Sequence, residues 1–171
     1  MEINSSNNNS LIQNLVDKFR DAFNSHNAER LGSLLAEDGE WTDVIGHTMI
    51  GKEEIVHQHT YPFTTVLKEA KLDVKSHRSK WITDEIVSID IEWESSGHMT
   101  REGKPIPTIR YGLLNLIAKR IKVKEKGDII LKIIIAHNND YTSTYTQSDR
   151  KQVVAEAIKK TIFYAMQKYR Y

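Results

Sequence analysis

Hydrophobic positions fall into two regimes along the chain. Over the first sixty-odd residues they recur at helical spacing. Leu11, Leu15, Phe19, Ala22 and Phe23 fall on one stripe, widened by Ile12 and Val16, and predict a helix over about 10–25. Ser10 begins S-L-I-Q, with Gln13 at the third helical position, which is a capping-box pattern. Asn27 is placed to cap a second, short helix that carries Leu31, Leu34 and Leu35. Glu40 to Val44 reads as a short strand, and Gly46 and Gly51 mark a turn or hairpin after it. Glu53 and Glu54, just past Gly51, suit the first turn of a third helix bearing Ile55, His59 and Phe63. Pro62 lacks a backbone N–H and is expected to end or kink that helix.

The second regime is β. Leu72 to Trp81, Ile86 to Glu94, Thr108 to Val123 and Ile129 to Tyr141 are long and rich in β-branched and aromatic residues. Thr83–Asp84–Glu85, Glu102–Gly103–Lys104–Pro105 and Lys126–Gly127–Asp128 separate them as turns. Ile89, Ile91 and Trp93 alternate with Asp90, Glu92 and Glu94, as in a strand with one buried face. Helices followed by long hairpins predict an α+β fold, a curved antiparallel sheet wrapped around N-terminal helices with an internal cavity. A last segment behind Ser148 carries Val153, Val154, Ala157, Ile158, Thr161, Ile162, Ala165, Met166 and Tyr169 as an amphipathic helical stripe. The organisation expected is a polar, disordered tail over 1–9, one domain over 10–146 and a helical extension over 147–171. That extension can pack on its own domain, lid the pocket or reach a second subunit.

Composition narrows the function classes. A chain of 171 residues with 39% hydrophobic residues can bury one packed core. Cysteine is absent, which excludes disulfides, thiolate zinc sites and a cysteine nucleophile. The 24 basic and 23 acidic residues nearly cancel, so nothing draws the chain electrostatically to nucleic acid. MEINSSNNNS holds neither a basic nor an apolar stretch, so no signal peptide is expected. The apolar runs are strand-length, and no membrane association is expected. Together these features suit a cytoplasmic protein.

The order of motifs resembles the NTF2-like superfamily, which includes SnoaL-like proteins and ketosteroid isomerases, and within it the SgcJ/EcaC-like (DUF4440-type) branch. The resemblance rests on D-G-E-W-T-D-V-I-G at 38–46, G-K-E-E-I at 51–55, and His59 and Phe63 four residues apart. It continues through Trp93 and Gly97, Pro105 and Pro107 leading to Arg110-x-Gly112, and His137–Asn138–Asn139. It spans about residues 10–146. It implies a cone-shaped fold around a small-molecule pocket, with homodimerisation through the open face of the sheet.

The comparison with ketosteroid isomerases implies a role for Asp43. Their general-base Asp sits in E-D-P-V-G, and Thr42–Asp43–Val44–Ile45–Gly46 occupies that place here, at the same spacing from Asn24. Those enzymes complete the site with a Tyr and a protonated Asp. The Tyr falls at Phe19, which has no donor, and Thr108 to Ala118 contains no carboxylate. The resemblance therefore carries over a base and not its oxyanion hole.

The candidate set follows. Asp43 shares strand parity with Trp41 and would act as base in an apolar pocket, or else shape the turn before Gly46. His59 would orient Asp43 or donate a proton, or be a satisfied core histidine. His57 and His59 point about 200° apart on a helix and cannot easily share a metal, so no metal is expected. His137 and Asn139 share parity with Leu131, Ile133 and Ile135, which puts both near the cavity end of the last strand, or else they form a hydrogen-bonded strand terminus. Arg110 would anchor a carbonyl or anion, or form an ion pair with a carboxylate such as Glu94. Phe19, Phe23, Trp41, Phe63 and Trp93 would be core, cavity wall or both. No glycine-rich phosphate loop is present, and no cofactor is expected. Two functions compete: a cofactor-independent isomerase, cyclase or hydrolase using Asp43 on a small apolar molecule, and a non-catalytic ligand-binding or dimeric assembly domain.

Overall fold

The computed structural model describes residues 5–123, 127–142 and 158–167. Its elements run α1 (Ser5–Asn24), α2 (Ala28–Gly32), β1 (Leu35–Thr42), β2 (Thr48–Ile50), α3 (Lys52–Thr64), β3 (Lys71–Trp81), β4 (Ile86–Ser96), β5 (Arg110–Lys122) and β6 (Ile129–Asp140). A further helix, α4, covers 158–167. The six strands form one sheet in the order β2-β1-β6-β5-β4-β3. All neighbours are antiparallel except β1 and β6, which pair in parallel.

Each element follows from its pattern. Ile12, Leu15, Val16, Phe19 and Ala22 of α1 are all buried, so the helix presents one apolar stripe to the sheet. Each large side chain buried this way contributes about 1.5–3 kcal/mol. Across the interface lie Val87, Ile89, Ile91 and Trp93 of β4 and Leu114 and Leu116 of β5, in the same core cluster. Asn27 caps α2 as expected, its side chain accepting from the Arg30 amide. Pro62 sits inside α3, and the helix ends two residues later at Thr64.

Two boundaries differ from expectation. α1 starts at Ser5, not Ser10. Asn8, in the added turn, accepts a 2.9 Å hydrogen bond from Arg120 at the far end of β5, which ties this turn to the sheet. Residues 5–9 are therefore helical rather than a disordered tail, and 1–4 lie outside the described residues. β1 begins at Leu35, because Leu34 and Leu35 leave the helical pattern to enter the parallel pairing with β6. Ser148, Val153, Val154, Ala157 and Tyr169 of the last amphipathic segment also lie outside the described residues.

β6 carries the irregularity that matters most for the site. Ile117 pairs with Ile135, but Ala118 pairs with Ile133, so Ile134 is an extra residue. A bulge of this kind inverts the alternation on either side of it. Leu131 and Ile133 belong to the inner core, Ile134 and Ile135 to the outer cluster, and Ala136 again to the inner core. α4 packs on that outer face. Ala165 is buried with Ile117, Ile134 and Ile135, and Tyr164 donates to Glu40 Oε2 at 2.9 Å. The helix thus takes part of the sheet face that the resemblance assigns to a dimer contact. No helix among the described residues is long and apolar enough to cross a membrane.

Candidate active site in the cavity between helices and sheet

Between α1, α3 and the inner face of the sheet lies a cavity of about 930 Å³. Its apolar wall includes Phe19, Phe23, Trp41, Leu72 and Trp93. Phe19 stacks on Trp41 at 6.3 Å between ring centroids, and Phe23 meets Phe63 edge-on at 5.5 Å. Phe63 stands behind this wall, in the core. Phe19 brings no donor, so the hydroxyl that ketosteroid isomerases place here has no equivalent.

The first polar cluster joins β1 and α3. Asp43 follows the last residue of β1, where the chain turns toward β2. Its Oδ1 accepts from the amides of Ile45 and His47, both at 2.9 Å. The turn-shaping role and the place on the cavity wall therefore coexist in one side chain. Lining the same cavity, His59 packs edge-on against Trp41, 5.2 Å between centroids. His59 Nδ1 lies 2.7 Å from the Ile55 carbonyl oxygen, one turn back along α3. A carbonyl only accepts, so Nδ1 carries the proton and Nε2 keeps its lone pair. Burial lowers the His59 pKa; the bond to Ile55 and the negative charge of Asp43 oppose this without reversing it.

The second polar cluster lies where β4, β5 and β6 end together. Asn138, not His137 or Asn139, faces the cavity. The bulge at Ile134 corrects the parity expectation for those two residues. Asn138 Oδ1 accepts from Trp93 Nε1 at 2.9 Å. Because an indole N–H only donates, the amide oxygen must face Trp93, which leaves the amide N–H groups without a described protein acceptor. His137 and Asn139 instead sit on the outer face. His137 Nδ1 is 3.1 Å from Thr161 of α4, and Asn139 pairs weakly with Asn115. Both line a smaller cavity of about 310 Å³ together with Lys160 and Thr161, and Asp43 and Asn138 border it as well. Burial lowers the His137 pKa, opposed by the charge of Glu40.

Arg110 reaches the main cavity, paired with Asp140 rather than Glu94. Its Nε donates to Asp140 Oδ2 at 2.6 Å. Burial works to raise the Asp140 pKa, but hydrogen bonds from Thr142 and Arg110 bring it below the ordinary carboxylate value. Two further cavity residues, Ser95 and His98, are almost fully buried and hydrogen-bonded to each other. Sequence reasoning did not select them. Ser95 extends the inward parity of Ile91 and Trp93, which is a signal the pattern contains; His98 lies in a loop where no periodicity applies. Among the described residues, no group of three or more His, Asp or Glu side chains is placed to hold a metal ion.

Residues 16–114 match the family model of the SnoaL-like domain. The chain belongs to this family. Its membership places it in the NTF2-like superfamily, in agreement with the α+β architecture. No curated protein matches the sequence. Among solved structures, the SnoaL-like domain is similar to an uncharacterised protein with a cystatin-like fold from Caulobacter vibrioides, at 24% identity and TM-score 0.66 over 79% of this chain and 90% of that one. A hexachlorocyclohexane dehydrochlorinase (LinA) type 2 superposes with TM-score 0.69 at 15% identity, over 86% of this chain and 95% of that one. A putative scytalone dehydratase from Novosphingobium aromaticivorans does so with TM-score 0.66 at 13% identity, over 83% and 90%. At these identities the likeness is one of fold.

Proposed function

We propose that this SnoaL-like domain is a cofactor-independent enzyme that removes a proton from a carbon acid, with His59 as the base and Asp43 as its charge partner. The observation that carries the reading is the tautomer of His59. The Ile55 carbonyl holds the proton on Nδ1, and burial keeps the ring neutral near pH 7, so Nε2 can accept a proton. Asp43, with Oδ1 held by two amides, stays fixed and its charge favours the imidazolium that forms. This exchanges the roles implied by the ketosteroid isomerases. The aromatic wall would supply most of the affinity for an apolar cyclic compound. Two of the similar structures are named as a dehydrochlorinase and a dehydratase, and proton removal of this kind is compatible with both names. Phe23, Trp41 and Trp93 would hold the substrate, and homodimerisation would use the sheet face that α4 leaves open.

A second reading, ligand binding without catalysis, is favoured by the turn duty of Asp43, which occupies one of its two oxygens. Exchange of the α-protons of the cyclic ketone β-tetralone in deuterium oxide, followed by NMR, separates the two. The base reading expects exchange faster than in buffer, lost by roughly 10²–10⁴-fold in His59→Gln. The rate should rise with pH through the depressed His59 pKa, and Asp43→Asn should move that midpoint lower still. Saturable binding of tetralone with exchange no faster than in buffer would establish the second reading; no binding at all would remove this substrate class.

A further inference from the structure

Ser95 and His98 form the buried end of a hydrogen-bonded chain whose polarity is fixed by its far end. Asp140 holds Arg110 through Nε, at 2.6 Å, and through Nη2. The remaining terminal nitrogen, Arg110 Nη1, lies 3.4 Å from His98 Nδ1. His98 Nε2 lies 2.8 Å from Ser95 Oγ. A guanidinium has no lone pair to offer, so Nδ1 must be the acceptor. The ring proton is then on Nε2, and it points at Ser95 Oγ. The Ser95 oxygen accepts it, and the Ser95 proton has to find its acceptor elsewhere. Among the described residues no hydrogen bond takes that proton, although Ser95 is only 2% and His98 only 6% exposed.

This excludes the more familiar reading of a Ser beside a His. His98 cannot take the Ser95 proton, because its Nε2 already carries one. Its basicity is also weak: burial and the positive charge of Arg110 bring its pKa down to about 4, with Asp140 opposing. The pair is therefore not a nucleophile and its base. It is a donor relay, in which each link polarises the next.

We propose that Ser95, driven by the relay from Arg110 through His98, is a binding subsite for a neutral acceptor oxygen, the carbonyl of an apolar ketone or aldehyde. Neutrality follows from the charges. Asp140 balances Arg110, and His98 is uncharged, so at Ser95 the cavity presents a hydroxyl dipole; Arg101, the other guanidinium on the cavity lining, is exposed. A carboxylate bound at Ser95 would lose hydration there and find no unpaired cation among the relay residues. The subsite stands on the same cavity wall as Trp93, two residues earlier on β4, and the Asn138 amide bonded to Trp93 supplies a second donor nearby. It deepens the function proposed above, since a carbonyl held there acidifies its neighbouring C–H bonds, but it does not depend on turnover.

The test is binding and infrared spectroscopy with three naphthalene probes of similar size: acetylnaphthalene, ethylnaphthalene and naphthoate. The ketone should bind tightest, about threefold to tenfold tighter than the hydrocarbon, which corresponds to one ordinary hydrogen bond. Its bound C=O stretch should lie below the value in an apolar solvent. Ser95→Ala should remove both the affinity difference and the spectral shift, and Ser95→Cys, which keeps the side-chain volume, should remove most of both. His59→Gln should leave the C=O band unmoved, so failure of the base proposal and failure of this one are read separately. Equal affinity for ketone and hydrocarbon, tighter binding of naphthoate, a C=O band insensitive to both Ser95 variants, or no binding of any probe would each overturn the proposal.

Discussion

Trp93 and Asn138 are linked across β5 by a 2.9 Å hydrogen bond from the indole N–H to the amide oxygen. Trp93 is 5% exposed, so its N–H has no ready access to water if that acceptor is lost. Asn138→Leu should therefore cost about 1–3 kcal/mol of stability. Asn138→Asp keeps an acceptor for Trp93 and should cost less at neutral pH. Urea unfolding followed by Trp fluorescence measures both. Equal losses in the two variants would mean that the bond contributes nothing beyond shape.

Gly112 sits directly under the same indole. A Cβ built there would lie 2.0 Å from Trp93 Cζ2 and 2.4 Å from the Asn139 carbonyl oxygen. Neither obstacle is a flexible side-chain tip: one is a ring pinned by Asn138, the other is backbone. Gly112→Ala should destabilise by about 1–3 kcal/mol through overpacking. It should also weaken the near-ultraviolet circular dichroism of the buried Trp residues, because the indole must move. Unchanged spectra and stability would show that the β4–β5 pair can open at no cost.

These two residues also show what the sequence discloses. The long strands are legible to within about two residues, because β-branched runs bounded by glycine and acidic turns have few other readings. Trp93 and Arg110 could be placed on the cavity side from alternation alone. Asn138 could not. A single extra residue at Ile134 inverts the parity of the end of β6, and no propensity marks a bulge inside I-L-K-I-I-I-A. The pairing of Arg110 with Asp140 depends on the same inversion, which turns Asp140 inward. His98 was illegible for a different reason: its position is set by a loop whose Met99 amide donates to Val66 and whose Ile106 amide donates to the His98 carbonyl, contacts that no local pattern encodes. Asp43 and His59 could both be selected from the sequence, but the roles proposed for them could not, since that proposal turns on one carbonyl oxygen at Ile55.

Asn24 closes the end of α1 against β3 with a cyclic pair of bonds. Its amide donates to the Leu72 carbonyl at 2.9 Å and accepts from the Leu72 amide at 2.8 Å. The side-chain amide offers a separate donor and acceptor, and Asn has the length that fits both. Asn24→Asp retains the acceptor but faces the Leu72 carbonyl with a second oxygen, and should cost about 1–3 kcal/mol near neutral pH. The cost should shrink in acid, because a protonated carboxyl can donate again. Chemical denaturation of the variant and the parent at two pH values checks the sign; a penalty that grows in acid would contradict the pairing.

His98 should make the fold sensitive to acid. In the unfolded chain it takes up a proton near the ordinary histidine value of 6.5, whereas in the folded chain it does so only near about 4. Between these values the unfolded state binds more protons, so stability falls as pH drops from about 6.5 toward 4 and gains nothing further from His98 above 6.5. Linkage bounds the effect at about 3 kcal/mol. His59 and His137 are shifted in the same direction, so the parent alone cannot assign the loss. His98→Gln can. A glutamine amide can donate to Ser95 and accept from Arg110 without titrating, and should flatten the pH dependence while largely preserving stability at neutral pH. The measurement is the unfolding free energy of both proteins at about pH 7.5 and about pH 4.5. A parent and variant that lose the same stability in acid would place the His98 proton elsewhere and break the donor relay at its central link.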